Sequence, residues 1–555
     1  MRLTTIGLLG LLSSLASLSA QGQAPADLPP HEHGPMTRAP ASTNPAPPSA
    51  TPFTAAPLSA SDKITQTHGR ITIGGQPLNY LATTGYLPLK DESGKLRANI
   101  FFVAYTRESI PTPPATQPAD NSNVQTAPAS KISDLPARPL TFVFNGGPGA
   151  ASAWLHLGTA GPYKVATPAE AVVPAPPGKL IENPQTWLTD TDLVFIDPVG
   201  TGYSRATTPE QSREFYSVNE DVASVAEFIR LYTTQYQRWQ SPKFLAGESY
   251  GTTRAAALAE HLHDHKGLAL NGVILISTVL NFADLRPQEG NDLPYALQLP
   301  TYTATAFYHH KLPASLQKDL RTTLDEVEKF TLDVYIPALA KGSNLDPNTS
   351  QKIAEQLASY TGLSVLFIKR NSLRIDPSRF EKELLNTETN PRILGRMDTR
   401  ITAFTADAAA PSPDFDPSLS GYLPLYTSAF NSYVRSQLRY ENDLPYEILS
   451  GRVGPWNFGG NGASGFLYVG DNLRNAMQKN PHLRVLVASG YFDLATPYFA
   501  TDYTLSHLNL PAPLRDHLRH VYYPGGHMMY HEPTSFDKLH QDIARFIQQA
   551  TAEVK

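Results

Sequence analysis

Hydrophobic and polar positions begin to show a period near residue 65. RITIGGQPLNYLATTGY (70–86) alternates on either side of a Gly-Gly pair and predicts a hairpin, and NIFFVAYT (99–106) reads as a further strand. The pattern then changes. PLTFVF (139–144), DLVFID (192–197), KFLAG (243–247) and GVILIST (272–278) are short continuous apolar runs, as expected of strands covered on both faces. Between them, Val218, Val222, Val225, Ile229 and Tyr232 recur at helical spacing, and TTRAAALAEHL (252–262) predicts a second helix. Strands alternating with helices predict an α/β fold with a largely parallel central sheet, spanning 65–281 and broken by a Pro/Ala-rich surface insertion at 109–138. After residue 281 the alternation stops. Leu316, Leu320, Leu324, Val327 and Val334 mark one helix and IAEQLASYTG another, so residues 282–480 read as a mainly helical insertion forming a lid over the active edge of the sheet. RVLVASG (484–490) and HVYYPGG (520–526) restore the sheet in a second core segment, 481–555, closed by a helix carrying Phe536, Leu539, Ile543 and Phe546.

The ends and the composition narrow the classes. MRLTTIGLLGLLSSLASLSA has a short basic start, an apolar stretch from Ile6 to Leu18 and small residues at Ser19-Ala20, the pattern of a cleaved export signal over 1–20. Its apolar run falls short of the ~20 residues a spanning helix needs, so stable membrane insertion is not expected. Residues 21–64 are rich in Pro and Ala without periodicity and read as a disordered leader; HEHG (31–34) there reads as solvated polar sequence rather than a metal site. The expected location is outside the cytoplasm, periplasmic or secreted. A net charge of −5 offers no basic footprint for nucleic acid, and zero cysteines exclude disulfides and thiolate metal sites.

Candidate chemistry starts at Gly247-Glu248-Ser249-Tyr250-Gly251, a G-x-S-x-G turn between a predicted strand and a predicted helix. Such a turn exposes a nucleophilic serine, and in the α/β-hydrolase fold an acid and then a histidine follow it, each at a strand end. Asp493 follows RVLVASG and His527 follows HVYYPGG, in that order. His527 would take the Ser249 proton while Asp493 holds its tautomer. The loop FNGGPGAAS (144–152) follows a buried strand, which makes the N–H groups of Gly147 and Tyr250 the expected oxyanion donors.

Taken together, NGGPG (145–149) with GP at 161–162, PVGTGYS (198–204), GESYG (247–251), YFD around Asp493 and GGHMMY (525–530) resemble the serine carboxypeptidase family. LPTYTATAFYHH (299–310) is similar to its bacterial branch. The resemblance implies release of C-terminal residues from peptides or small proteins through an acyl-enzyme, with no metal or cofactor. It also implies that Asn145, the Gly146 N–H and Glu248 bind the substrate's C-terminal carboxylate. That accounts for an acid beside the nucleophile, because of two carboxylates in contact one must take a proton. The chain departs from the family pattern at Val143 (often Trp), Ala150 (Cys in disulfide-bearing members) and Thr159 (often a second Glu). Tyr302, Phe307, Tyr308 and His309 are candidates for pocket wall or for core. An esterase or acyltransferase of the same fold is the alternative reading, and a non-catalytic peptide-binding homologue the third.

Overall fold

The computed structural model describes residues 64–108, 138–168, 171–459 and 466–552. The expected signal (1–20), the leader with its HEHG, and nearly all of the 109–138 insertion lie outside the described residues. Among the described residues no helix is long and apolar enough to cross a membrane.

A ten-stranded sheet organises the chain. Its strands are β1 (Thr65–Ile73), β2 (Gln76–Lys90), β3 (Leu96–Glu108), β4 (Leu140–Phe144), β5 (Asp192–Ile196), β6 (Lys243–Glu248), β7 (Gly272–Ile276), β8 (Arg484–Gly490) and β9 (Leu518–Tyr523). A two-residue strand, Arg205–Ala206, pairs with β3. The spatial order is β1-β2-β3-β5-β4-β6-β7-β8-β9. Pairs from β5 to β9 are parallel, and the three at the β1 edge are antiparallel. β1 and β2 form the expected hairpin, closed by Gly74 and Gly75, both at positive φ (55° and 80°). Two consecutive left-handed residues match the right-handed twist of the flanking strands, and glycine reaches that conformation without a Cβ clash.

The apolar runs are continuous because both sheet faces are covered. On β4, Leu140, Phe142 and Phe144 point into one apolar cluster and Val143 into the other. Helix α1 (Val218–Gln235) starts where the Ser217 hydroxyl accepts the Glu220 N–H, with Glu220 and Asp221 in its first turn favouring the positive end of the helix dipole. Helix α2 (Tyr250–Lys266) leaves the serine turn and stops at Gly267, in the left-handed conformation.

Between β7 and β8 come α3 (Leu299–Tyr308), α4 (Leu320–Phe330), α5 (Pro347–Thr361), α6 (Pro377–Glu383), α7 (Pro417–Ser436) and α8 (Gly470–Lys479), with a small ladder of Arg392–Leu394 on Thr402–Phe404. Helices α3 to α6 share their own apolar cluster. In contrast, Tyr426, Phe430 and Tyr433 of α7 join the cluster on one sheet face, and Leu473 and Met477 of α8 the cluster on the other. The closing helix α9 (Pro533–Ala552) buries Phe536, Leu539, Ile543 and Phe546 as the spacing predicts.

Helix α4 departs from the pattern at both ends. Asp319 caps the Thr322 N–H, so the helix starts at Leu320 and Leu316 lies outside it. After Phe330 the backbone opens into a wide turn, Thr331–Tyr335, which advances the register. Tyr335 is therefore buried, while Val334 is 41% exposed.

The layers meet at a buried ion pair. Arg254 of α2 is 1% exposed; its Nε donates to Asp221 Oδ2 of α1 at 2.8 Å and its Nη1 to the carbonyl of Asn145 at 2.6 Å. Its guanidinium carbon lies 5.3 Å from the ring centroids of Phe144 and Tyr250. Removing one partner would strand the other charge in the interior. Arg254→Leu is expected to cost about 3–5 kcal/mol in urea unfolding, and Arg254→Leu with Asp221→Leu less than that single change. Equal or greater loss in the double variant would refute the pair as a coupled unit.

Candidate active site

Three loops converge at the C-terminal ends of β4, β6, β8 and β9, the edge where open α/β sheets place ligands. The first is the serine turn. Ser249, between β6 and α2, adopts φ 61° and ψ −131°, a conformation that costs a non-glycine residue and is kept where surrounding contacts enforce it. Its N–H donates to the Ile276 carbonyl at 3.0 Å. The flanking glycines are required by space. A Cβ on Gly247 would lie 2.2 Å from the Gly251 carbonyl oxygen, and one on Gly251 2.9 Å from that of Phe144.

The second loop follows β4. Gly147 has φ +95°, and a Cβ on Gly146 would fall 2.4 Å from the Tyr250 nitrogen, so this backbone lies directly against the serine turn. Among the described residues neither the Gly147 nor the Tyr250 N–H is taken up by a turn or loop hydrogen bond. The Tyr250 N–H also opens a helix, where partial positive charge favours an anion. PVGTGYS lines no part of the cavity; the preceding Asp197 braces this loop by accepting the Ser152 N–H at 2.8 Å.

The third group comes from the last two strands. Nδ1 of His527 and Oδ2 of Asp493 are 2.8 Å apart. Asp493 Oδ1 accepts the N–H groups of Ala495 and Thr496, and Oδ2 accepts the Thr496 hydroxyl at 2.6 Å. Burial opposes the Asp493 charge, but His527 and these donors outweigh it and hold the carboxyl below its ordinary value. For His527 burial likewise disfavours the cation, and Asp493 reverses the balance, leaving the imidazole above its ordinary value. With Nδ1 committed to Asp493, Nε2 is left to accept a proton. Ser249 and His527 line one cavity of about 870 Å³, yet the hydrogen bonds of the described residues include none between the Ser249 hydroxyl and His527 Nε2. Such contacts are often long without substrate and tighten when it binds.

Asn145 and Glu248 are both buried in the wall of that cavity. The Asn145 Oδ1 accepts the Leu155 N–H at 2.9 Å, which orients the amide so that Nδ2 donates to Glu248 Oε1, also at 2.9 Å. One Nδ2 hydrogen stays available. Burial pushes the Glu248 carboxyl up to about 7, against the pull of His527 and Tyr530. Tyr530 lies close enough to interact, although neither its hydroxyl nor Glu248 Oε2 completes a hydrogen bond. Thr159 is buried with its hydroxyl unpartnered and does not line the cavity.

The aromatic stretch in α3 packs rather than lines. Tyr302 stacks on Phe380 at 4.1 Å and donates to the Ile375 carbonyl, His309 bonds the Thr399 carbonyl, and none of Tyr302, Phe307, Tyr308 or His309 reaches the cavity. Tyr302 and Phe307 join the apolar cluster shared by α3 to α6, whereas Tyr308 is 41% exposed. The segment 282–480 instead brings polar side chains to the wall, Gln298, Asp376, Glu381, Arg396 and Asp416, beside apolar ones such as Phe282, Leu285 and Leu419. Sequence reasoning missed these, because no local motif marks them. Thr496 was within reach, since a hydroxyl three residues after an aspartate is a common turn partner.

Comparison with known proteins now adds the family. A family model described as serine carboxypeptidase matches residues 129–530. Pheromone-processing carboxypeptidase KEX1 of Yarrowia lipolytica is 28% identical over 195 residues, covering 35% of this chain and 28% of that protein. Carboxypeptidase sxa2 of Schizosaccharomyces pombe is 32% identical over 158 residues, covering 27% of this chain and 28% of that protein. The alignments thus span well under a third of either relative's length. A crystal structure of the prohormone-processing carboxypeptidase Kex1 from Saccharomyces cerevisiae aligns with a TM-score of 0.49 at 16% identity, over 85% of this chain and 91% of that one. With the family model covering most of its length, this chain belongs to the serine carboxypeptidase family.

Proposed function

We propose that this chain is an exported serine carboxypeptidase that removes C-terminal residues from peptides. One observation carries the reading: the buried Asn145–Glu248 hydrogen bond in the wall of the cavity that contains Ser249. An enzyme indifferent to free carboxylates has no use for an uncharged glutamic acid there. Export is supported by the N-terminal pattern of residues 1–20.

In the proposed reaction the Ser249 hydroxyl attacks the scissile carbonyl as His527 Nε2 takes its proton. The oxyanion accepts hydrogen bonds from the Gly147 and Tyr250 N–H groups. The imidazolium, stabilised by Asp493, returns the proton to the departing amine, and water resolves the acyl-enzyme by the same route. Meanwhile the substrate's terminal carboxylate accepts hydrogen bonds from Asn145 Nδ2, the Gly146 N–H and protonated Glu248. Protonation also keeps negative charge away from the oxyanion.

The pH dependence follows from two groups. Glu248, raised to about 7, donates while protonated and loses that ability as pH rises through its pKa. His527, held above its ordinary value, becomes a base only as pH rises. The two charges feel each other, so the limbs belong to the pair. For N-blocked dipeptides with a free C-terminus, kcat/KM is expected to be bell-shaped, its alkaline fall carried by KM. C-terminal amides and esters should show only the rise. Glu248→Gln, neutral at every pH, should remove the alkaline limb, and its persistence in that variant would refute the role of Glu248.

Asn145→Ala is expected to raise KM for free-acid peptides about 10–100-fold, the scale of a hydrogen bond to a charged group, with kcat on simple esters little changed. Ser249→Ala should abolish turnover. Good ester turnover with no preference for free acid over amide would favour the esterase reading.

A further inference from the structure

Beside Glu248 two buried polar atoms face each other without completing a hydrogen bond. Glu248 Oε2 and the Tyr530 hydroxyl both lack a partner among the described residues, while Asn145 serves the other glutamate oxygen, Oε1. Buried polar atoms in folded proteins nearly always have a partner, so such a pair asks for a reason. Tyr530 follows His527 by three residues, in the short turn Met529–His531, and is fully buried. Its ring lies against the wide turn His156–Ala160, where a Cβ on Gly158 would come 2.4 Å from the ring edge. Gly158 thus leaves the room that this ring needs.

The other groups around Glu248 are accounted for. Tyr426 of α7 also feels the Glu248 carboxyl, but its hydroxyl is taken up by His531 Nε2 at 2.8 Å. Burial holds His531 well below its ordinary value, so that imidazole brings no charge. Of the titratable neighbours, His527 favours the Glu248 charge and Asp493 opposes it. Burial, with the nearby carboxyl, pushes the Tyr530 phenol well above its ordinary value, so it stays a donor at every working pH. We propose that Tyr530 is a positioning residue: its hydroxyl donates to Glu248 Oε2, aims the carboxyl at the substrate's terminal carboxylate and sets the pH at which Glu248 stops reading free C-termini. The proposal rests on the role given to Glu248 above. A hydroxyl hydrogen rotates to suit its acceptor, and contacts of this kind tighten when substrate fills the site. With Asn145 on one oxygen and Tyr530 on the other, the carboxyl is held at both ends and its acid proton is left for the substrate. A donor favours the carboxylate over the acid. Tyr530 therefore opposes the burial that raises Glu248 to about 7, and removing its hydroxyl raises Glu248 further.

The test follows kcat and KM of the full-length protein and of Tyr530→Phe, from acid to alkaline pH, on one N-blocked dipeptide as free acid and as amide. Phenylalanine keeps the ring against Gly158 and deletes only the donor. For the free acid, Tyr530→Phe is expected to move the alkaline rise of KM up by about one pH unit, the tenfold scale of one hydrogen bond to a charged group. Below that limb KM should rise severalfold, with kcat and the amide unchanged. A ring needed only for packing would change stability or the amide rate without moving the limb. Tyr426→Phe is the control, expected to leave the limb in place because that hydroxyl already serves His531. Should Tyr530→Phe not fold, fluorotyrosine at 530 takes its place; its more acidic hydroxyl donates more strongly and should move the limb down. A limb at the same pH in Tyr530→Phe as in the parent would overturn the proposal, as would an equal upward shift in Tyr426→Phe. Calorimetric binding of the free-acid peptide to Ser249→Ala, with and without Tyr530→Phe, repeats the comparison without turnover. There, affinity that persists to higher pH when Tyr530→Phe is added supports the proposal, and loss at the same pH overturns it. A parent enzyme with no alkaline limb for free acids would strike the Glu248 reading and this proposal with it, whereas an unmoved limb strikes Tyr530 alone.

Discussion

Arg254 is the contact on which the geometry of the site depends. It leaves the helix that follows Ser249, pairs with Asp221 on the neighbouring helix and donates to the backbone of Asn145 in the loop after β4. Those bonds join the three pieces that must be in register: the Ser249 turn, the Gly147 N–H and the Asn145 amide. Flanked by the rings of Phe144 and Tyr250, the guanidinium is shut off from water, so its charge interacts more strongly than it would at the surface. The same burial makes the arrangement costly to break from one side. A planar group with several fixed donors suits this task in a way an ammonium would not.

Around that anchor the protein resolves the conflict posed by an acid next to the proposed nucleophile. Glu248 is buried, where desolvation favours the neutral form, and Asn145 supplies a donor without a formal charge. A lysine or arginine in that place would have ionised the glutamate. Asp493, equally buried, stays ionised because an imidazole and three further donors surround it. Two buried carboxyls, Glu248 in the cavity wall and Asp493 behind His527, thus carry opposite protonation preferences, set by partners rather than by residue type. The lid side adds a third acid, Glu381, whose environment again differs.

Much of this was legible from the chain. Runs such as LTFVF and GVILI identify strands covered on both faces, and the glycines of GESYG mark a turn too tight for side chains. Errors arose where one backbone event shifted a period. The wide turn after Phe330 moved the buried position from Val334 to Tyr335, and the apolar pattern carries no sign of it. The aromatic residues of α3 stayed open between pocket wall and core for another reason. A ring that fills a lid's own core and a ring that lines a cavity have the same sequence signature, and only the partner surface distinguishes them.

The sequence by itself determined the strand and helix periods, the turn chemistry at Ser249 and the order in which Ser249, Asp493 and His527 arrive, because these depend on neighbours within a few residues. Only the tertiary structure decided that Arg254 reaches Asn145, that α7 and α8 join the sheet layers while α3 to α6 keep a core of their own, and that Glu381 and Gln298 share a cavity with Ser249. Those relations join segments tens to hundreds of residues apart, and they follow from how the sheet and the helical insertion pack together, which local period does not encode.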